Sequence, residues 1–294
     1  MSEQIISYPN QSALQVDERR EDRRNLLLMA PALVMMTVVI LVPIGWLFFM
    51  SFWGENGFTL EHYQRMSHPG YRLTFIRTFQ ISVLVTIMSV LLGYPVAYLM
   101  TKSSPRVASI IMMCVLLPFW TSILVRTYAW LILLQRRGII NGWLMDAELI
   151  DRPLRLVHNM TGTVIGMTHI LLPFMILPLY SSMKAIDGDL LKAARNAGAT
   201  PSQAFRQVFL PLSVPGLAAG IVVVFVLCLG FYITPEILGG GRIVMWSKQI
   251  QNAVTLHATW GPASALGVVL LVVTLGTLWI MTRIFRINRF LGGL

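Results

Sequence analysis

Charge is scarce in this chain. Of its 294 residues only 12% are Asp, Glu, Lys or Arg, where soluble domains carry about 25%. Acid is scarcer than base, with 13 Asp and Glu against 23 Lys and Arg. An ordinary soluble globule, wetted by surface charge, is excluded. Cysteine is nearly absent: Cys114 and Cys228 both fall in apolar runs without metal-ligand spacing, and read as packing residues. A phosphate-binding loop is missing too, since Gly239, Gly240 and Gly241 lead into Arg242 and Ile243 rather than Lys and a hydroxyl residue. His62, His68, His158, His169 and His257 form no HExxH or other close pair, and there is no GxSxG elbow. His169 stands alone in an apolar run and reads as a satisfied interior histidine. The chain is therefore read as non-catalytic, holding no metal and no cofactor of its own.

What is present is hydrophobic, 55% of all residues. An apolar helix of about 20 residues crosses a bilayer. These runs are continuous rather than alternating every second residue, so helices and not barrel strands are predicted. Six spans can be read: Leu27–Phe49, Thr78–Met100, Ile110–Leu134, Gly162–Met183, Leu212–Thr234 and Pro262–Ile284. The fold class is all-α integral membrane, with a polar arm over 1–25 and a membrane domain over 26–294. The arm holds VDERREDRR, a composition for disorder or a surface helix. The first apolar run is too long and begins too late for a cleaved signal peptide, so it is expected to remain as a span. Pro43, Pro95, Pro118, Pro173 and Pro178 interrupt spans and predict bends.

An even number of spans puts both termini on one side. That side collects Arg19, Arg20, Arg23, Arg24, Lys102, Arg106, Lys184, Lys192, Arg195, Arg206 and three arginines of the tail, and the other side holds fewer basic residues. Positive charge marks the cytoplasm, so both termini and the loop 187–211 are placed there. The net charge of +10 sits largely at span ends, where it meets anionic headgroups rather than nucleic acid.

No acidic residue lies well inside a span; Glu236 is just beyond the fifth. Ion-driven pumps bury carboxylates where the ion binds, so the energy for any transport should come from elsewhere. One charge does lie within a span. Arg126, in PFWTSILVRTYAW, is about eight residues and roughly 12 Å from the end of the third span. Such an arginine faces a bundle interior, a partner or a water path, or else bonds helix-end carbonyls and snorkels outward. Trp120 and Tyr128 flank it; Phe231, Tyr232 and Glu236 are the other candidates for lining a pathway.

The loop DGDLLKAARNAGATPSQAFRQVFLP is punctuated residue by residue. Asp187 and Asp189 suit a helix start. Gly198 suits a left-handed C-terminal cap. Thr200 is an N-cap, Pro201 fits the first helical position, and Gln203 completes a capping box. Ala204, Phe205, Val208 and Phe209 form an apolar face, and Leu210-Pro211 is expected to end the element before the fifth span. Two short helices meeting at a glycine are predicted.

This loop resembles the EAA motif of bacterial ABC importer permeases. Lys192-Ala193-Ala194, Gly198 and Val208-Phe209-Leu210-Pro211 match its spacing, with Lys192 in place of the usual Glu and Val208 in place of Ile. LPFWTSILVRTYAW, GIINGWLMDAELIDRPLRLVHN and FYITPEILGG resemble the spermidine/putrescine branch. The resemblance implies a type I importer permease in the bacterial inner membrane, with a coupling helix over about 200–208 between the fourth and fifth spans. It implies a partner ATPase dimer that uses ATP and Mg, a second permease subunit in a heterodimer, and a periplasmic substrate-binding protein. Coupling is expected to run through Lys192, Ala193, Ala194, Gly198, Thr200, Pro201, Gln203, Phe205, Val208, Leu210 and Pro211. Another small organic solute, such as an amino-acid derivative or opine, remains open. So do an ion-driven secondary transporter, an intramembrane enzyme and a membrane scaffold.

Overall fold

Each long apolar run folds as a helix, the form that satisfies every backbone group without water. In the computed structural model, residues 11–54, 57–255 and 260–291 are described, with the backbone alone for 11–24, 26 and 284–291. Helix α1 runs Gln11–Ser51 and passes unbroken through residue 25, where the polar arm was divided from the membrane domain. Residues 1–10 of that arm and His257 lie outside the described residues. A small hairpin not anticipated from the sequence follows, β1 (Trp53–Gly54) antiparallel to β2 (Gly57–Phe58). Then come α2 (Glu61–Arg65), α3 (Pro69–Lys102), α4 (Pro105–Leu116), α5 (Ile123–Leu134), α6 (Ile139–Asp146) and α7 (Met160–Lys184). The chain ends with α8 (Gly188–Asn196), α9 (Pro201–Ala204), α10 (Leu210–Leu229), α11 (Ile233–Gly239), α12 (Trp246–Thr255) and α13 (Trp260–Leu291).

Five helical stretches are long and apolar enough to cross a membrane, and the pair α4 and α5 makes a sixth if counted as one span. That pair corrects the third predicted span. Ile110–Leu134 is not one helix but two, joined by a 3-10 turn at Leu117–Trp120 and bent by 102°. The break is built to be stable. Pro118 withholds a backbone donor, the Thr121 amide and hydroxyl both donate to the Pro118 carbonyl, and Ser122 caps α5 by accepting from the Leu124 amide.

The core is the three-helix contact of α3, α7 and α10. Ile81, Val85 and Met100 meet Met167, Leu171, Met175, Ile176 and Leu179, with Val224 and Cys228 closing the cluster. Hydroxyls inside it turn back on their own helix: Thr78, Ser82 and Thr86 each donate to the carbonyl four residues earlier. Gly216 lets α10 approach α7; a Cβ there would lie 2.4 Å from the Ser182 Cβ and 2.7 Å from the Pro178 carbonyl oxygen. Small residues permit such close helix crossings in membranes, where packing rather than the hydrophobic effect drives association. By contrast, α1 touches the rest of the chain mainly through α13, and most of its large apolar side chains from Leu27 to Phe49 stay exposed.

Candidate functional site

The loop after α7 forms a compact corner. Asp187 accepts a hydrogen bond from the Asp189 amide and starts α8. At its end the Gly198 amide donates to the Arg195 carbonyl and the Ala199 amide to the Ala194 carbonyl. With Gly198 at φ +88°, this is the Schellman pattern that satisfies a helix's last carbonyls. Thr200 begins the next helix at once. Its hydroxyl accepts from the Gln203 amide while the Gln203 side chain accepts from the Thr200 amide at 2.8 Å, with Pro201 in the first turn. None of the α8 residues is buried. Lys192 is exposed and paired with Asp189 at 2.8 Å, and Ala193 beside it is exposed while Ala194 is half-buried. The corner therefore offers small residues outward together with the cations Lys192 and Arg195.

One expectation about this corner is corrected. Leu210-Pro211 does not end the element. The helix runs on from Pro201 to Leu229 through a π segment at Phe205–Phe209, where the Leu210 amide donates to the Phe205 carbonyl. Pro211 has no amide to give the Gln207 carbonyl, and one turn of wider winding accommodates the loss without a break. The inward face of this segment is held to the end of α3. Tyr98 meets Phe205 and Phe209 edge-on, with centroids 5.3 and 5.1 Å away, and Lys102 lies over both Tyr98 and Phe209. Ala204 and Phe209 are buried, Phe205 and Val208 half-buried, and Leu210 exposed. Tyr98 and Lys102 were missed from sequence, because nothing local ties residue 98 to residue 209.

At the opposite end, α11 carries Tyr232 and Glu236 one turn apart. The Thr127 and Thr234 hydroxyls bond at 3.1 Å, tying α11 to α5, and the His158 amide donates to the Leu238 carbonyl just before α7. Next in the chain is α12. Its Trp246 is buried, with the backbone amide donating to Thr78 on α3 and the indole to the Leu266 carbonyl on α13. Two residues on, Lys248 donates to Glu236 at 2.7 Å and lies over the Tyr232 ring, 5.5 Å from its centroid. The carboxylate hydrogen bond holds the Lys248 ammonium above the ordinary lysine range, so it is charged at every physiological pH. Nothing local in the sequence singles out Lys248, because its partner is twelve residues away on another helix.

The remaining candidates are spread out. Phe231 accepts a hydrogen bond from Ser247 through its carbonyl. Trp120, at the break between α4 and α5, is 90% exposed and lines a cavity of ≈590 Å³ with Tyr180 and Lys184. Tyr128 is exposed on α5. Arg126 is half-buried, and its Nε makes no hydrogen bond within the chain. His169 differs from its reading as a satisfied histidine: Trp130 meets it edge-on at 5.5 Å, but Nδ1 has no hydrogen-bond partner in the chain. Among the described residues no group of three or more His, Cys, Asp or Glu is placed to hold a metal.

A bundle of membrane helices with an exposed corner locked to its core is the design of a membrane transport component. The chain belongs to the family of binding-protein-dependent transport system inner membrane components, whose model matches residues 89–287. It is 35% identical to the spermidine/putrescine transport system permease protein PotB of Haemophilus influenzae, over 74% of this chain and 77% of the relative. It is 32% identical to PotB of Escherichia coli K12, over 74% and 78%. Among solved structures it resembles a bacterial alginate ABC transporter in complex with an alginate pentasaccharide-bound periplasmic protein. That match has TM-score 0.72 at 18% identity, covering 92% of this chain and 97% of that one. The MetNI methionine ABC transporter in inward facing conformations gives TM-score 0.55 at 16% identity, covering 75% and 99%. At these identities the structural likeness is one of fold. The chain is thus an all-α, multi-pass, non-catalytic component of the inner membrane.

Proposed function

We propose that this chain is one permease subunit of an ATP-driven importer of polyamines of the spermidine and putrescine kind. It would form half of the pathway beside a second, different permease. A periplasmic binding protein would deliver the solute, and two separate ATPase subunits would hydrolyse ATP with Mg. Both termini and the α8–α9 corner face the cytoplasm in this reading. The names of the relatives support the solute class, and the charge distribution supports the orientation.

The observation that carries the coupling role is mechanical. The corner is exposed, yet it continues without interruption into α10 and is clamped to α3 by Tyr98. A push delivered to Pro201–Ala204 reaches two of the three core helices directly. The side chains that would meet the ATPase are those of Lys192, Ala193, Thr200, Pro201 and Gln203; Gly198 sets the angle between the two helices. Phe205, Val208, Leu210 and Pro211 pass the motion on. Because no carboxylate lies inside a span, an ion gradient has no evident foothold.

Crosslinking tests this. With Cys114 and Cys228 replaced by Ser, a cysteine at exposed Ser202 should crosslink to the ATPase subunit, and deletion of Thr200–Val208 should abolish ATPase copurification or uncouple hydrolysis from uptake. Uptake that survives the deletion with the ATPase still bound would refute the coupling role.

A further inference from the structure

The contact between Lys248, Glu236 and Tyr232 has a chemistry that goes beyond an ordinary ion pair. A primary ammonium on a methylene stem is held by one carboxylate at 2.7 Å and by the face of one phenol ring at 5.5 Å. Carboxylate and aromatic face are the two groups that recognise an alkylammonium in general, the first by a charge-assisted hydrogen bond and the second by its quadrupole. An ammonium has three donors, and Glu236 takes one of them. The residues are partly buried, Lys248 22% and Glu236 32% exposed. The contact is therefore strengthened by reduced solvation yet remains open to an incoming group.

The mounting of the site matters as much as its chemistry. Tyr232 and Glu236 stand on α11, fastened to α5 through Thr127 and Thr234. Lys248 stands on α12, fastened to α3 and α13 through Trp246. The carboxylate and ring are rigidly supported on one side, while the ammonium reaches them from the other on a flexible four-carbon stem. Removing that stem from the contact leaves the acceptor pair in place. Between the start of α7 and the start of α13, Glu236 is the only acidic residue among the described residues outside the α8 corner.

We propose that Tyr232 and Glu236 form a binding site for a primary alkylammonium, and that Lys248 occupies this site as an internal stand-in which an ammonium of the solute displaces. The proposal rests on the polyamine reading above and deepens it. Displacement exchanges one ammonium for another, so the carboxylate is not left unpaired at any stage. It also releases the side-chain tie from α12 to α11, leaving only the Ser247–Phe231 hydrogen bond beside it among the described residues. Arrival of the cation and loosening of this end of the bundle become a single event.

The test uses the complete transporter, with both permeases and the ATPase, purified without binding protein. Radiolabelled spermidine binding is measured by scintillation proximity, with copurification of all subunits confirming assembly. Lys248→Met, which keeps the stem and removes the charge, should tighten spermidine binding by about tenfold, and Lys248→Arg should not. Glu236→Gln should weaken it by about tenfold or more, as expected for loss of a charge-assisted hydrogen bond. Tyr232→Leu should weaken binding by a smaller factor. Unchanged or weaker binding in Lys248→Met overturns the proposal, as does unchanged binding in Glu236→Gln. Spermidine uptake by the wild-type transporter with its binding protein is measured in parallel. If uptake is present but these variants bind alike, only the site is wrong; if the wild type takes up no polyamine, the solute reading falls and the site with it.

Discussion

At Gly198 the backbone turns with φ +88°, a region open to glycine and costly for residues with a Cβ. Nothing lies within 4 Å of the position a Cβ would take, so the constraint is conformational and not steric. Gly198→Ala should therefore strain the Schellman turn by on the order of 1–2 kcal/mol and disturb the angle between α8 and α9. The expected outcome is weaker ATPase copurification with an unchanged amount of folded permease in the membrane. Equal copurification would mean that the corner is not held at a fixed angle. The residues of this turn were legible in sequence because every bond in it is local. Lys248 was not, because its meaning depends on α12 reaching the Tyr232–Glu236 pair of α11.

At the scale of elements, the sequence pattern located the long membrane helices, passed over the short helices α2, α6, α11 and α12, and read helix continuity poorly. Two prolines had opposite effects. Pro118 stands where Thr121 and Ser122 can satisfy freed backbone groups, and there the third span breaks and turns by 102°. Pro211 follows a turn held to α3 by Tyr98 against Phe205 and Phe209, and there the helix persists through one wide turn. Local composition does not distinguish these cases; packing on the far side does. Packing likewise makes Gly216 indispensable to the contact of α10 with α7. Gly216→Val would drive side-chain atoms into the Pro178 carbonyl and Ser182, at a cost of about 1–3 kcal/mol. A lowered unfolding temperature of the purified complex is expected, and a temperature equal to wild type would show that α7 and α10 separate more freely than this packing implies.

At the scale of the whole molecule, much apolar surface is left without a partner in the chain. Most large apolar side chains of α1 from Leu27 to Phe49 are exposed, so lipid or another membrane chain must cover them. Arg126 belongs to this scale as well. A structural arginine in a membrane bonds helix-end carbonyls, but the buried Nε of Arg126 makes no such bond. Arg126→Ala should reduce solute uptake while leaving the assembled complex at its usual yield. Loss of the complex itself would assign the side chain to folding instead.

From sequence alone came the membrane class, the helix positions, the capped corner over 187–200 and the family resemblance carried by its spacing. All of these rest on interactions between residues close along the chain, or on bulk hydrophobicity, and both are written locally. Only the tertiary structure decided that the third span is broken, that α9 flows into α10, that Tyr98 and Lys102 clamp the corner, and that Lys248 fills the Tyr232–Glu236 contact. Each of these depends on which helices lie side by side, and that is set by the mutual packing of distant segments.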